Sequence, residues 1–214
     1  MADADLVQGS PEWLAVRLGK LGASRIADAL ARTKSGWGAS RANVRADLIV
    51  ERLTGQPAER YTNAAMQWGT DTEPEARAAY EFYRGVDVQS VGWVPHPSIA
   101  MTGASPDGLV GDNGLVEIKC PNTATHIDTL LTRSVAGRYQ MQMMWQMACT
   151  GRTWCDFVSF DPRLPAHMQM FVARVHRDDA VVKQLEDDVA AFLNDVQSTM
   201  DALHIACAPA QAAE

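Results

Sequence analysis

Ser105-Pro106-Asp107-Gly108-Leu109, followed past Asp112-Asn113-Gly114 by Leu115-Val116-Glu117-Ile118-Lys119-Cys120-Pro121, is the stretch on which the reading of this chain turns. Ser-Pro-Asp-Gly is a turn leading into Leu109-Val110, and Asp-Asn-Gly is a hairpin signal. Residues i and i+2 of a strand share a face, so Glu117 and Lys119 point the same way while Val116 and Ile118 point into the core. The turn at 112–114 folds the chain back so that Asp107 lies beside Glu117. Two carboxylates and one ammonium then meet at one spot. Close carboxylates repel unless a cation or a proton sits between them. Their hard oxygens suit Mg2+ or Mn2+ and do not select zinc. Such a cation makes a water more acidic, and an adjacent lysine can orient that water and stabilise developing negative charge. The plain alternative is a surface strand with an ordinary ion pair, worth little. Asp-x9-Glu-x-Lys alone has many chance matches.

The flanking sequence alternates between two periods. Apolar spacing and caps predict helices over 10–18 and from Gly22-Ala23-Ser24 to Leu30. Further helices are predicted over 41–54, 63–84, 123–132, 137–150 and 178–203. Gly69 and Pro74 predict a break inside the long helix at 69–74. Strands are predicted over 86–93, 99–102, 109–110, 115–120, 153–160 and 168–176. Thr33–Ser40 reads as a loop and 205–214 as a frayed, disordered tail. Helices around a central block of strands make the class α/β or α+β. Residues 1–204 then form one domain. It has a helical part over 10–84, a sheet core over 86–176 and a closing helix.

The chain has 214 residues, is 47% hydrophobic and 21% charged, and carries a formal net charge of −7. At roughly 100–200 residues per domain this is one domain, and a chain this long buries about 70% of its unfolded surface without needing disulfides. No apolar run is long enough to span a membrane and no signal peptide opens the chain, so a cytoplasmic protein is expected. The acidic balance argues against a generic nucleic-acid coat. Yet the charge is segmented: residues 16–60 sum to +5, 61–120 to −5, 121–175 to +2 and 176–214 to −6. Cys120, Cys149, Cys155 and Cys207 form no CxxC and pair with no histidine at zinc-finger spacing. Free buried thiols are expected, with an iron–sulfur cluster from scattered cysteines the lesser alternative.

Pro106-Asp107 with Glu117-x-Lys119 resembles the PD-(D/E)xK nuclease signature. The wider context, Ser105 to Leu109 and Leu115 to Pro121, resembles the lambda exonuclease family of YqaJ-type phage recombination nucleases. Gln8-Gly9, Trp13 and Arg17-Leu18-Gly19 with Ala23-Ser24 are similar to that family's N-terminal block. Trp68-Gly69 with Glu73, Ala76-Arg77 and Tyr80-Glu81-Phe82 are similar to its helical motif. Tyr139-Gln140-x-Gln142-x-x-x-Gln146 is similar to its glutamine-bearing helix, and Asp161-Pro162-Arg163 to its late strand end. The resemblance runs over residues 7–195 and implies a restriction-endonuclease-like core with a mixed sheet flanked by helices.

It also implies roles. Asp107 and Glu117 would hold the metal, with the Ile118 carbonyl in the shell and Glu73 as a third carboxylate brought in by the helix break. Lys119 would position the attacking water, and Gln142 would touch the site, with Gln140 as a neighbour. Arg17 would anchor the 5′-terminal phosphate, with Ser24 adding a hydroxyl and helix-start N–H groups. Met66 stands where an apolar wedge parts the strands, although a methionine before Trp68 more often packs in a core. The implied activity is Mg2+-dependent 5′→3′ digestion of one strand of linear duplex DNA to 5′-mononucleotides, with two ions and with Mn2+ as a substitute. A 3′ single-stranded tail is left for a single-strand annealing protein. A ring-shaped homotrimer, ATP-independent processivity and a phage or prophage source in a bacterial cell complete the expectation. Two alternatives stay open: another nuclease on the same core, such as an endonuclease or repair nuclease, and a non-enzymatic DNA-end-binding protein. Outside this set, Glu75 and Glu81 are expected to be solvated or to pair with Arg77 and Arg84, and the histidines to bind no metal. Trp37 is read as a DNA contact or a loop anchor.

Overall fold

The computed structural model describes residues 3–58 and 64–208. Its centre is a five-stranded mixed sheet in the order β10-β9-β8-β7-β4. The strands are β4 (Val88–Gln89), β7 (Gly108–Val110), β8 (Gly114–Lys119), β9 (Trp154–Phe160) and β10 (Met170–His176). Only β8 and β9 run parallel; the other pairs are antiparallel. A smaller sheet joins β1 (Leu21–Gly22), β6 (Thr102–Ala104) and β5 (Val94–Pro95).

Alternation along β8 and β9 sends side chains to two covered faces. On one, Val116, Ile118, Val158 and Phe160 pack against Ala76 and Tyr80 of α4 (Ala64–Arg84). On the other, Leu115, Cys155 and Phe157 join the main core. That core is built by α3 (Ala39–Thr54), α6 (Gly137–Thr150) and α7 (Asp179–Ala206). Because this second face is covered too, Glu117 is 0% exposed, which replaces the surface-strand alternative with a buried carboxylate. Asp156, also 0% exposed, is the one acid on the α4 face of β9; Tyr80 donates to it at 2.9 Å and Arg174 and Arg84 pair with it at 2.7 and 3.1 Å. This knot ties α4 to the sheet.

Several local expectations are corrected. α4 runs without a break through Pro74, because its face of Thr72, Ala76 and Tyr80 is packed on the sheet and holds the turn that proline alone would open. The strand expected over 86–93 is split. Gly92 and Trp93 donate their N–H groups to the Ala4 and Asp3 carbonyls and not to a sheet neighbour. Met101 has φ 63°, so β6 begins at Thr102, after the left-handed residue. Residues 32–37 form a small two-stranded hairpin in place of the expected loop. Its Trp37 ring lies 3.9 Å from both the Arg32 and Arg41 guanidinium carbons. The hairpin turn falls on Gly111-Asp112-Asn113, with Gly111 at φ 52° and Gly114 already paired with Val110. The final helix extends to Ala206, and residues 209–214 of the expected tail lie outside the described residues. Cys120, Cys149 and Cys155 are buried, whereas Cys207 is exposed. No described helix is long and apolar enough to cross a membrane.

Gly114 opens β8 against Trp154: a Cβ there would run into the Trp154 ring, over which the Arg174 guanidinium stacks at 3.5 Å. Gly114→Val should therefore lower unfolding stability by about 1–3 kcal/mol, the usual range for overpacking. A urea midpoint equal to that of the parent would show that the ring is free to move.

Candidate active site

Glu117 is set by β8 and answered by α6. Gln142 and Gln146 are one helical turn apart and share a face. Each donates through Nε2, at 2.5 Å, to a different oxygen of the Glu117 carboxylate. Lys119, two residues along the strand, pairs with Oε1 of the same carboxylate. Asp107 precedes β7, and its Oδ2 accepts the Ile118 N–H at 2.6 Å. The hairpin thus brings Asp107, Glu117 and Lys119 together as the residue pattern requires.

The electrostatics are those of a carboxylate cluster short of positive charge. Burial, then the charge of Glu117, raises the Asp107 carboxyl well above its ordinary range, with Lys119 opposing. Burial also raises Glu73, against the pull of Arg77 and Lys119. For Lys119, burial disfavours the ammonium, but Glu117 and Asp107 outweigh it and hold the pKa above the ordinary lysine value. Lys119 is therefore a fixed ammonium. A proton and a cation compete for Asp107, so a divalent ion and high pH act in the same direction there.

In kind, the donors fit a hard divalent cation: the carboxylates of Asp107, Glu117 and Glu73, with the Ile118 carbonyl nearby. Cys120 does not change that character, because burial and the charges of Glu73 and Asp107 push its thiol up to about 12 and leave it neutral. Among the described residues, no three His, Cys, Asp or Glu side chains are gathered closely enough to form a ready-made metal cage. Instead Lys119 and the two glutamines hold Glu117, the Ile118 N–H holds Asp107 and Arg77 pairs with Glu73.

One cavity of about 160 Å3 connects this cluster to the N-terminal block. Asp107, Lys119 and Gln142 line it together with Arg17, Ser24 and Trp13. The N-terminal block also holds the Asp107 turn in place. Trp13 Nε1 donates to Ser105 Oγ at 3.0 Å, and Gln8 Nε2 donates to the Pro106 carbonyl at 2.8 Å. Arg17, in the last turn of α1 (Pro11–Arg17), stacks over the Trp13 ring at 3.7 Å.

Other expected residues are placed differently. Glu73 shares a separate cavity with Asp107 and reaches the cluster's field from an unbroken helix, not through a break. Ser24 is exposed in a 3-10 turn before α2 (Ile26–Ala29), whose four residues carry little macrodipole, so its hydroxyl matters more than a helix start. Gln140 is exposed, donates to the Val135 carbonyl at 2.8 Å and is not among the residues lining the cavity. Met66 is 55% exposed and so is not core packing.

Arg77 pairs with Glu73 at 3.8 Å, not with Glu75, and donates to the Asp107 carbonyl. Arg84 pairs with Asp156, while Glu81 accepts the Val88 N–H at 2.8 Å. Two buried histidines have structural partners: His126 bonds to Ser159 Oγ and the Met168 carbonyl, and His96 stacks on Trp145. Gln146 and Arg77 are the site residues that sequence reasoning left without a role. Gln146 was signalled by its i+4 spacing from Gln142, but Arg77 had no comparable signal.

The chain is 53% identical to LHK-Exo, an alkaline exonuclease from Laribacter hongkongensis, over 93% of this chain and 98% of that one, with a TM-score of 0.86. The same relative in complex with dAMP superposes with a TM-score of 0.87. A phage related exonuclease from Haemophilus somnus 129PT, 15% identical, has a TM-score of 0.69 over 86% of this chain and 96% of that one, a likeness of fold alone. No curated protein sequence matches. The description YqaJ-like viral recombinase domain matches residues 12–153, which is more than half of the sequence, and this protein belongs to that lambda exonuclease-like family.

Proposed function

We propose that this protein is a Mg2+-dependent 5′→3′ exonuclease that digests one strand of linear duplex DNA to 5′-mononucleotides. The observation that carries the reading is the shared cavity, which Arg17 and Ser24 line along with Asp107, Lys119 and Gln142. A phosphate anchor at a fixed remove from a hydrolytic cluster measures one nucleotide from the strand end. The 53% identical relative was captured with dAMP, a nucleoside monophosphate of the size such a reaction releases.

In this reading the terminal 5′-phosphate sits at Arg17, whose guanidinium is braced by Trp13. Asp107, Glu117, Glu73 and the Ile118 carbonyl would hold Mg2+ or Mn2+, with room in the donor set for two ions. A divalent cation there would supply Lewis acidity and neutralise charge. Lys119 positions the attacking water and stabilises charge growing on the phosphate oxygens. Gln142 and Gln146 keep Glu117 oriented. Water adds to the phosphorus of the second nucleotide and the bond to O3′ of the first breaks. The freed mononucleotide keeps its 5′-phosphate and gains a 3′-hydroxyl. The shortened strand again ends in a 5′-phosphate, which Arg17 can take without ATP.

Met66, exposed at the start of α4, is proposed as the wedge that parts the strands. The 3′ tail would pass to a single-strand annealing protein. A ring of three copies would keep the surviving strand enclosed.

Lys119→Ala should lose about 10²–10⁴-fold in rate on 5′-phosphorylated linear duplex with Mg2+, the range for removing a positioned catalytic group. Full activity in that variant, or product from the parent enzyme in EDTA or on closed circles, would sink the mechanism. Arg17→Ala should impair digestion mainly of 5′-phosphorylated ends; an equal loss on 5′-hydroxyl ends removes Arg17 from the anchor role. Light scattering should report a trimer, and a processive monomer would contradict the ring.

A further inference from the structure

A further cavity adjoins Arg17. This second cavity, of about 230 Å3, shares Arg17 and Gly22 with the first and is lined further by Lys20, Arg25 and Glu51. Arg17 and Gly22 thus belong to the walls of both spaces. Among the described residues, its lining carries three cations, Arg17, Lys20 and Arg25, and one carboxylate. That carboxylate is committed elsewhere, since Glu51 is buried and its Oε2 accepts the Gly19 N–H at 2.9 Å.

Arg25 is fixed by Asp47, 2.5 Å from its Nη2, and its Nη1 is buried with no hydrogen-bond partner. A buried guanidinium N–H without an acceptor is unfavourable, because it has lost water and gained nothing. The acceptor that suits a planar guanidinium beside a lysine ammonium is a phosphate oxygen.

We propose that the cavity formed with Lys20 and Arg25 is a subsite for a second phosphate group, attached on the 5′ side of the phosphate held by Arg17. The inference rests on the exonuclease reading, in which the first phosphate of the digested strand lies at Arg17. Whatever extends that phosphate on its 5′ side projects past Gly22 into the second cavity. The second phosphate comes either from an anhydride, as in a 5′-diphosphate end, or from the phosphodiester of an additional unpaired 5′ nucleotide. Both present the same non-bridging oxygens to Lys20 and Arg25.

Calorimetric titration of the full-length protein with dAMP, dADP and the 5′-phosphorylated dinucleotide of deoxyadenosine tests this. A chelator in the buffer keeps divalent metal off the phosphates. At least one two-phosphate ligand should bind about tenfold more tightly than dAMP, roughly the worth of one hydrogen bond to a charged group. That ratio should fall to near one in Lys20→Ala and in Arg25→Gln. Because the ratio and not either affinity is read, general weakening of the site does not imitate the effect, and a melting curve identifies a variant that fails to fold. A preference for dADP alone assigns the anhydride source; a preference for the dinucleotide alone assigns the phosphodiester source. Equal affinity for all three ligands overturns the subsite, as does a ratio that survives in both folded variants. Failure to bind dAMP at all would instead contradict the exonuclease reading on which the subsite depends.

Discussion

A carboxylate with no exposed surface sits in the middle of this fold, and much of the rest is arranged around it. Stripping the Glu117 carboxylate of water is a penalty of several kcal/mol unless charge and hydrogen bonds replace the solvent. Replacement comes from three directions: Lys119 along the strand, and Gln142 and Gln146 from the facing helix. The requirement fixes the register of α6 on the sheet. The same helix then carries Met143, Trp145 and Met147, all 0% exposed, into the main core. Packing and chemistry therefore depend on one contact, and neither can shift without the other.

The acidic balance has a similar explanation. Several carboxylates are matched to arginines inside the structure: Asp156 with Arg174 and Arg84, Asp195 with Arg41 and Arg45, Asp47 with Arg25. Others form the carboxylate cluster that a cation would neutralise. With screening over about 8–10 Å, a phosphate responds to the local charge and not to the total of −7. Locally, Arg17 and Lys20 line a cavity near the carboxylate cluster. The charge that argues against a general nucleic-acid coat is compatible with capture of one strand end.

Much of this was legible in the chain, and the departures share a cause. Ser10 as cap, Pro11 at the first helical position and the two-residue period through Glu117 and Lys119 act over a few residues, and the structure shows each of them. The break at Pro74 did not appear, because helix packing on the sheet outweighs a local penalty. Val91 and Trp93 looked like a strand, but Trp93 and the intervening Gly92 bond to the N-terminal segment some ninety residues earlier. Gln140 and Gln146 carry the same side chain on one helix, yet only Gln146 lies on the turn that faces Glu117. Arg77 had two acids at workable spacing, and its bond to the Asp107 carbonyl came from outside the helix.

By itself the sequence determined the hairpin, the strand face shared by Glu117 and Lys119, the helical periods and the family to which the chain belongs. Each of these follows from backbone stereochemistry over short spans or from the order of residues along the chain. Only the tertiary structure decided that Glu117 is buried, that Gln146 completes its shell, that Glu73 approaches from an unbroken helix, and that Arg17 lines both the cavity of Asp107 and that of Lys20 and Arg25. Those outcomes depend on which distant surfaces exclude water from one another, and neither periodicity nor spacing records that.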